Sequence, residues 1–96
     1  SMIYMVNLPG TPGKMSLEFS SGKGIKEFKQ EFHLTGSEAA AFLRELAQEM
    51  EAGGKVDAKY GSWAISIDPE QPIKLEVEYE EDELEIEIKF KEKSSP

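Results

Sequence analysis

The chain contains no cysteine, which excludes disulfide bonds and thiolate zinc sites. It has a single histidine, His33, so no two-histidine metal site can form, and His33 reads as an exposed strand residue. No apolar run approaches the ~20 residues that span a bilayer. Pro9 and Gly10 break the first apolar segment early, and no basic region precedes it, so no leader is expected. Basic charge is scarce as well. Eleven Lys and Arg stand against nineteen Asp and Glu, for a net charge of -8. Binders of nucleic acids and anionic membranes neutralise phosphates with Lys and Arg, so neither partner is expected. Lack of cysteine fits a reducing compartment, and the cytoplasm is the expected location. Gly22-Lys23-Gly24 has the glycine and lysine of a phosphate loop but not its spacing. No cofactor is expected, and the balance is against an enzyme.

What the sequence does have is alternation. Residues 73–91 read IKLEVEYEEDELEIEIKFK. Ile73, Leu75, Val77 and Tyr79 fall on one face, and Leu84, Ile86, Ile88 and Phe90 repeat the pattern after an acidic break. This is the period of a half-buried strand, used twice. Closing the hairpin at Glu81-Asp82 pairs Tyr79 with Leu84, Val77 with Ile86, Leu75 with Ile88 and Ile73 with Phe90. The turn chemistry is poor, because neither residue favours positive φ, and a wider four-residue loop keeps the same phase.

The rest of the chain supports one small domain. Residues 1–24 read as an N-terminal arm and linker: Pro9 to Gly13 break regular structure, and Ser20 to Gly24 have linker composition. Met15, Leu17 and Phe19 allow a short strand, so the arm is expected to add to a sheet edge or cover apolar surface. Ile25 to Leu34 is the first firm strand. A helix follows, with Thr35 and Glu38 forming a capping box. Its stripe is Ala39, Phe42, Leu43, Leu46, Ala47 and Met50. Arg44, Glu45, Gln48, Glu49 and Glu51 are expected to face water, and Gly53-Gly54 ends the helix. A compact hairpin pairs Val56 with Ile67, Ala58 with Ile65 and Tyr60 with Trp63. Residues 92–96 read as a frayed tail. The expected fold is α+β: an antiparallel sheet of four to five strands, in the order β-α-β-β-β-β, with one helix packed on its apolar face. The first strand is expected beside the last.

From Phe28 onward the sequence resembles the amphi-Trp domain family. The pieces that carry the resemblance are Glu27-Phe28-Lys29, Glu38-Ala39-Ala40 with Leu43-Arg44-Glu45-Leu46-Ala47, and Trp63 in its short strand. Leu75 to Tyr79 and Leu84 to Ile88 complete it. Phe90 departs from the pattern, since members tend to carry tryptophan there. The family is defined by amphipathic pattern and not by an activity, so the resemblance implies a single α+β domain over residues 25–91 and brings no catalytic residues.

Three sites follow from the residues. The first is the polar face of the last hairpin, where Glu76 opposes Glu87, Glu78 opposes Glu85 and Glu80 opposes Glu83. Opposed like charges cost stability, and the face would attract a basic protein partner. The second is a ligand pocket near Tyr60 and Trp63, where an aromatic pair could stack on a small molecule. The third is weak cation binding at the acidic tip, Glu80 to Glu83, which lacks the glycine and spacing of an EF-hand loop. Ahead of these stands a non-enzymatic interaction module. One helix is little cover for two apolar hairpins, so the leftover face points to a homo-oligomer. Ile86→Glu is expected to unfold the domain, because it places a charge in the presumed core.

Overall fold

The helix forms where its caps dictate. The computed structural model describes the backbone of residues 6–7, 10–20, 24–60 and 63–94, and side chains at 10–16, 27–59 and 64–94. Helix α1 spans Gly36–Gly53. Glu38 donates its N–H to Thr35 Oγ1 at 3.2 Å, and Thr35 donates its N–H to Glu38 Oε1 at 2.9 Å. Both halves of the capping box are therefore made. Gly54 ends the helix at φ 75°, and its N–H closes on the Met50 carbonyl. That left-handed conformation favours glycine.

Among the described residues seven strands accompany α1: β1 (Val6–Asn7), β2 (Thr11–Ser20), β3 (Gly24–His33), β4 (Val56–Tyr60), β5 (Trp63–Ile67), β6 (Lys74–Glu80) and β7 (Glu83–Lys89). The α+β class holds. The strands, however, form three sheets and not one: β1-β4-β5, β2-β3 and β6-β7. The expected register of β4 with β5 is present, Val56 to Ile67, Ala58 to Ile65 and Tyr60 to Trp63. β1 adds to β4 in parallel, opposite Ala58 and Lys59. Helix α1 packs on β1 and β4.

The strand expected beside the last one, β3, pairs instead with the N-terminal arm. Met15 to Ser20 run antiparallel to Gln30 to Gly24. Thr11 and Pro12 extend the ladder to His33 and Phe32 across a bulge at residues 13–14. The stretch that reads as a breaker is therefore strand. The bulge absorbs Gly13, where an added Cβ would lie 3.1 Å from both Glu31 Cβ and His33 Nε2. Gln30 donates its side-chain amide to the Gly13 carbonyl at 3.0 Å and to the Lys14 carbonyl at 3.3 Å. It thus occupies acceptors near the interrupted ladder. His33 is exposed, as its position in the alternation indicated.

The tail is tied at its start. Glu70 N–H bonds the Lys91 carbonyl at 2.7 Å, and Lys93 N–H bonds the Asp68 carbonyl at 2.9 Å. Glu92 Oε2 accepts from Asp68 N–H. Pro69, which faces Glu92 in this bridge, is buried.

Glu49 corrects the expected polar face of α1. It is 4% exposed, while Leu43 on the expected buried stripe is 55% exposed. The covered face is turned towards Glu45 and Glu49. The cause is β4. The Asp57 N–H of that strand donates to Glu49 Oε1 at 3.0 Å. The second oxygen, Oε2, has no partner among the described residues. Loss of hydration raises the Glu49 pKa. The Asp57 N–H works against that rise, and the neighbouring Asp57 carboxylate adds to it.

Among the described residues only Glu49 and Pro69 are fully buried. The accessible surface is 7728 Å², roughly 2,000 Å² more than a folded monomer of this mass exposes. The radius of gyration is 14.6 Å, against about 12–13 Å for a closed chain of this length. Among the described residues, Met15, Leu43 and most of the apolar side chains of β6 and β7 remain uncovered.

Candidate functional site

The last hairpin forms rung by rung as its alternation dictates. Lys74 pairs with Lys89, Leu75 with Ile88, Glu76 with Glu87, Val77 with Ile86, Glu78 with Glu85, Tyr79 with Leu84 and Glu80 with Glu83. Ile73 and Phe90 lie just beyond the ladder. The tight turn is used, not the wider loop. Glu81 and Asp82 take φ of 50° and 66°, the double left-handed geometry that matches strand twist in a two-residue hairpin. Tyr79 Oη donates to Asp82 Oδ1 at 3.4 Å.

The polar face is the glutamate ladder read from the sequence. Its lysines sit only at the open end. Lys74 Nζ lies 2.9 Å from Glu76 Oε1, Lys89 Nζ lies 3.6 Å from Glu87 Oε1, and Lys89 reaches Glu76 at 4.0 Å. These contacts run mainly along each strand. The hydrogen bond and charge of Lys74 hold the Glu76 carboxyl below the usual carboxylate range, and Glu76 raises Lys74 in turn. Towards the tip the balance reverses. A hydrogen bond with Glu83, followed by the charges of Glu78 and Glu83, raises Glu85. Glu78, Glu80, Glu81, Glu83 and Glu85 surround a recess of about 130 Å³. Among the described residues no three acidic or histidine side chains are arranged to hold a metal ion, so the tip offers diverging carboxylates and no cation cage.

The apolar face differs most from its expected role. Leu75, Val77, Tyr79, Leu84 and Ile86 leave 57–68% of their surface open, and Ile88 leaves 38%. Ile86 is thus an open surface residue in the single chain, so the presumption that Ile86→Glu strikes a closed core is corrected. Helix α1 covers β4 and not this hairpin. Between them runs an apolar groove of about 470 Å³. Ala39, Phe42, Leu43 and Leu46 of α1 form one wall, with Val56 and Ala58 of β4 beside them. Ile86, Ile88 and Phe90 form the other wall. Its lining has no ionisable side chain, so the groove can hold apolar matter but supplies no acid or base.

The sequence reading missed this groove, because its two walls are far apart in the chain. The surplus of apolar stripe over available cover was its signal in the chain. The pocket expected beside Tyr60 and Trp63 lies outside the described residues, since neither side chain is described. Phe90, where the pattern departs from tryptophan, lies in the groove. No helix among the described residues is long and apolar enough to cross a membrane.

No curated protein and no solved structure matches the chain. The sequence profile of the Amphi-Trp domain matches residues 23–96, taking in α1, both later hairpins and the bridged tail. With most of its length inside that match, the chain belongs to the Amphi-Trp domain family.

Proposed function

We propose that the chain is a non-enzymatic protein-interaction module whose binding element is the apolar face of β6 and β7. One observation carries this reading: six apolar side chains of a well-registered hairpin stand open to solvent. Contiguous apolar patches of more than a few hundred Å² are uncommon on monomers and mark interaction surfaces. Water-facing leucine, isoleucine and tyrosine are unfavourable by about 25 cal/mol per Å², so an occupant of this face is stabilised without any buried charge. The test is retention. An immobilised wild-type chain retains a partner, either a tagged copy of itself or another protein, and an Ile86→Glu chain retains none. A wild-type bait that retains nothing contradicts the reading, as does a bait whose catch survives Ile86→Glu.

The groove supports a second reading, a carrier of small apolar ligands. Its volume suits such a ligand, and Phe90 on its wall provides the probe. In a Phe90→Trp variant, a long-chain fatty acid should shift the new tryptophan emission to the blue. Emission that stays constant across the titration removes this reading. The acidic face supports a basic partner by charge alone, and the tip a cation by charge alone. The glutamate ladder also argues against nucleic acid and anionic membrane as partners. An apolar interaction surface, unlike either charge-based reading, uses the part of the molecule that is left uncovered.

A further inference from the structure

We infer that the occupant of the hairpin's apolar face is a second copy of this chain, packed face to face with the two hairpins antiparallel. The inference rests on the interaction reading above and names its partner.

Three observations select the second copy. The first is area. Leu75, Val77, Tyr79, Leu84 and Ile86 each leave more than half of their surface open on one face of the hairpin. A stable interface hides about 800 Å² per partner, and obligate dimers hide more. The hairpin face continues into the groove through Ile86 and Ile88, so both offer one contiguous apolar surface to a partner. The second is shape. A two-fold interface places the same patch on both sides, and two hairpin faces pack as two sheet layers about 10 Å apart. Leu75, Val77, Tyr79, Leu84, Ile86 and Ile88 then form the interior that one copy lacks.

The third is charge, which also sets the orientation. Lys74 and Lys89 occupy the open end of the hairpin, where they pair with Glu76 and Glu87 and leave that end close to neutral. Only acids occupy the tip, from Glu80 to Glu83. Antiparallel stacking places the acidic tip of each copy beside the charge-balanced end of the other. Parallel stacking would set acidic tip against acidic tip. Charge also decides against the competing arrangement, in which copies join edge to edge. Among the described residues no strand pairs with either edge of this two-stranded sheet, but edge addition would continue the glutamate ladder into a second row of glutamates. Like charges placed directly across strands are unfavourable, and charged edges oppose such pairing. Face-to-face packing leaves both ladders pointing outward into water.

Sedimentation equilibrium of the full chain, from low to high micromolar concentration, tests the inference. Wild type is expected to be a dimer. Ile86→Glu should weaken association on the order of 100-fold while leaving the far-ultraviolet circular dichroism unchanged. If Ile86→Glu fails to fold, Val77→Thr with Leu84→Thr keeps strand propensity and should still weaken the dimer. A monomer at every concentration overturns the inference, and so does a dimer that Ile86→Glu leaves intact. A monomeric chain that nevertheless retains another protein through Ile86 removes the second copy while the interaction reading stands. A chain that is monomeric and retains nothing removes both.

Discussion

The two C-terminal hairpins are written in the same alternation and meet different fates. In β4 and β5, Val56, Ala58, Ile65 and Ile67 are partly covered, and α1 packs on β4. In β6 and β7, the equivalent face is open along its length. Their ladders are equally regular. Period-two patterning therefore fixes register and states that one face avoids water. It does not state what provides the cover. One eighteen-residue helix is wide enough for one hairpin, and the surplus apolar area is left to another surface.

This difference can be broken from either side. The largest effect is expected from one charge placed in each hairpin's environment. Leu46→Glu sits where α1 meets β4 and should destabilise the chain by about 3 kcal/mol in chemical denaturation, since the charge has no partner there. Ile86→Glu should leave the unfolding midpoint of the isolated, dilute chain nearly unchanged and act on association instead. Equal destabilisation by both would show that the two hairpins share one closed core.

Next in size is Glu49→Gln. The amide keeps an acceptor for the Asp57 N–H and removes the buried charge, so stability at neutral pH should rise by about 1 kcal/mol. The sign follows from the raised folded-state pKa. The folded chain holds a proton that the unfolded chain releases, so the stabilisation from protonated Glu49 is full below the ordinary glutamate value. It is lost as pH rises through the folded value. Glu49→Gln should therefore flatten the stability profile on the neutral side. A variant less stable than wild type at neutral pH would mean that the carboxylate is paired.

The turn should give a smaller gain. Glu81 and Asp82 adopt positive φ, which asparagine and glycine adopt at lower cost. Glu81→Asn with Asp82→Gly should stabilise the hairpin by about 0.5–1 kcal/mol, read as slower amide exchange in β6 and β7. Unchanged exchange would show that the turn does not limit the hairpin. The smallest effect is the pH response of the ladder. Glu85 is raised and Glu76 lowered. Acidification from neutrality should first strengthen the hairpin as Glu85 takes its proton. Below the ordinary glutamate value it should weaken, as Glu76 loses its charge and its contact with Lys74. Amide exchange across the acid range checks this maximum, and Lys74→Met should remove the weakening limb.

Much of this architecture was legible in the chain. Every rung from Leu75 to Tyr79 was readable because a one-residue slip would turn all the apolar side chains over. Thr35, Glu38 and Gly54 announced the helix ends through local bonding alone. The acidic ladder followed from the same register. What was not legible depends on contacts between distant segments. Glu49 is covered where it accepts the Asp57 N–H of β4, which no helical period encodes. The bulge at residues 13–14 interrupts alternation just where the arm pairs with β3, so strand looked like a break. Leu43 belongs to the apolar stripe, yet its exposure follows from how α1 turns on β4. The open hairpin face was anticipated only as a shortage of cover.

The most direct test of that open face is an isotope-filtered nuclear Overhauser experiment on a mixture of labelled and unlabelled chains. Cross-peaks between the Val77, Leu84 and Ile86 methyl groups of one copy and the same groups of another are predicted. Contacts from these methyls only to Phe42 and Leu43 of their own chain would contradict it, and would mean that the helix closes over the last hairpin within a single copy.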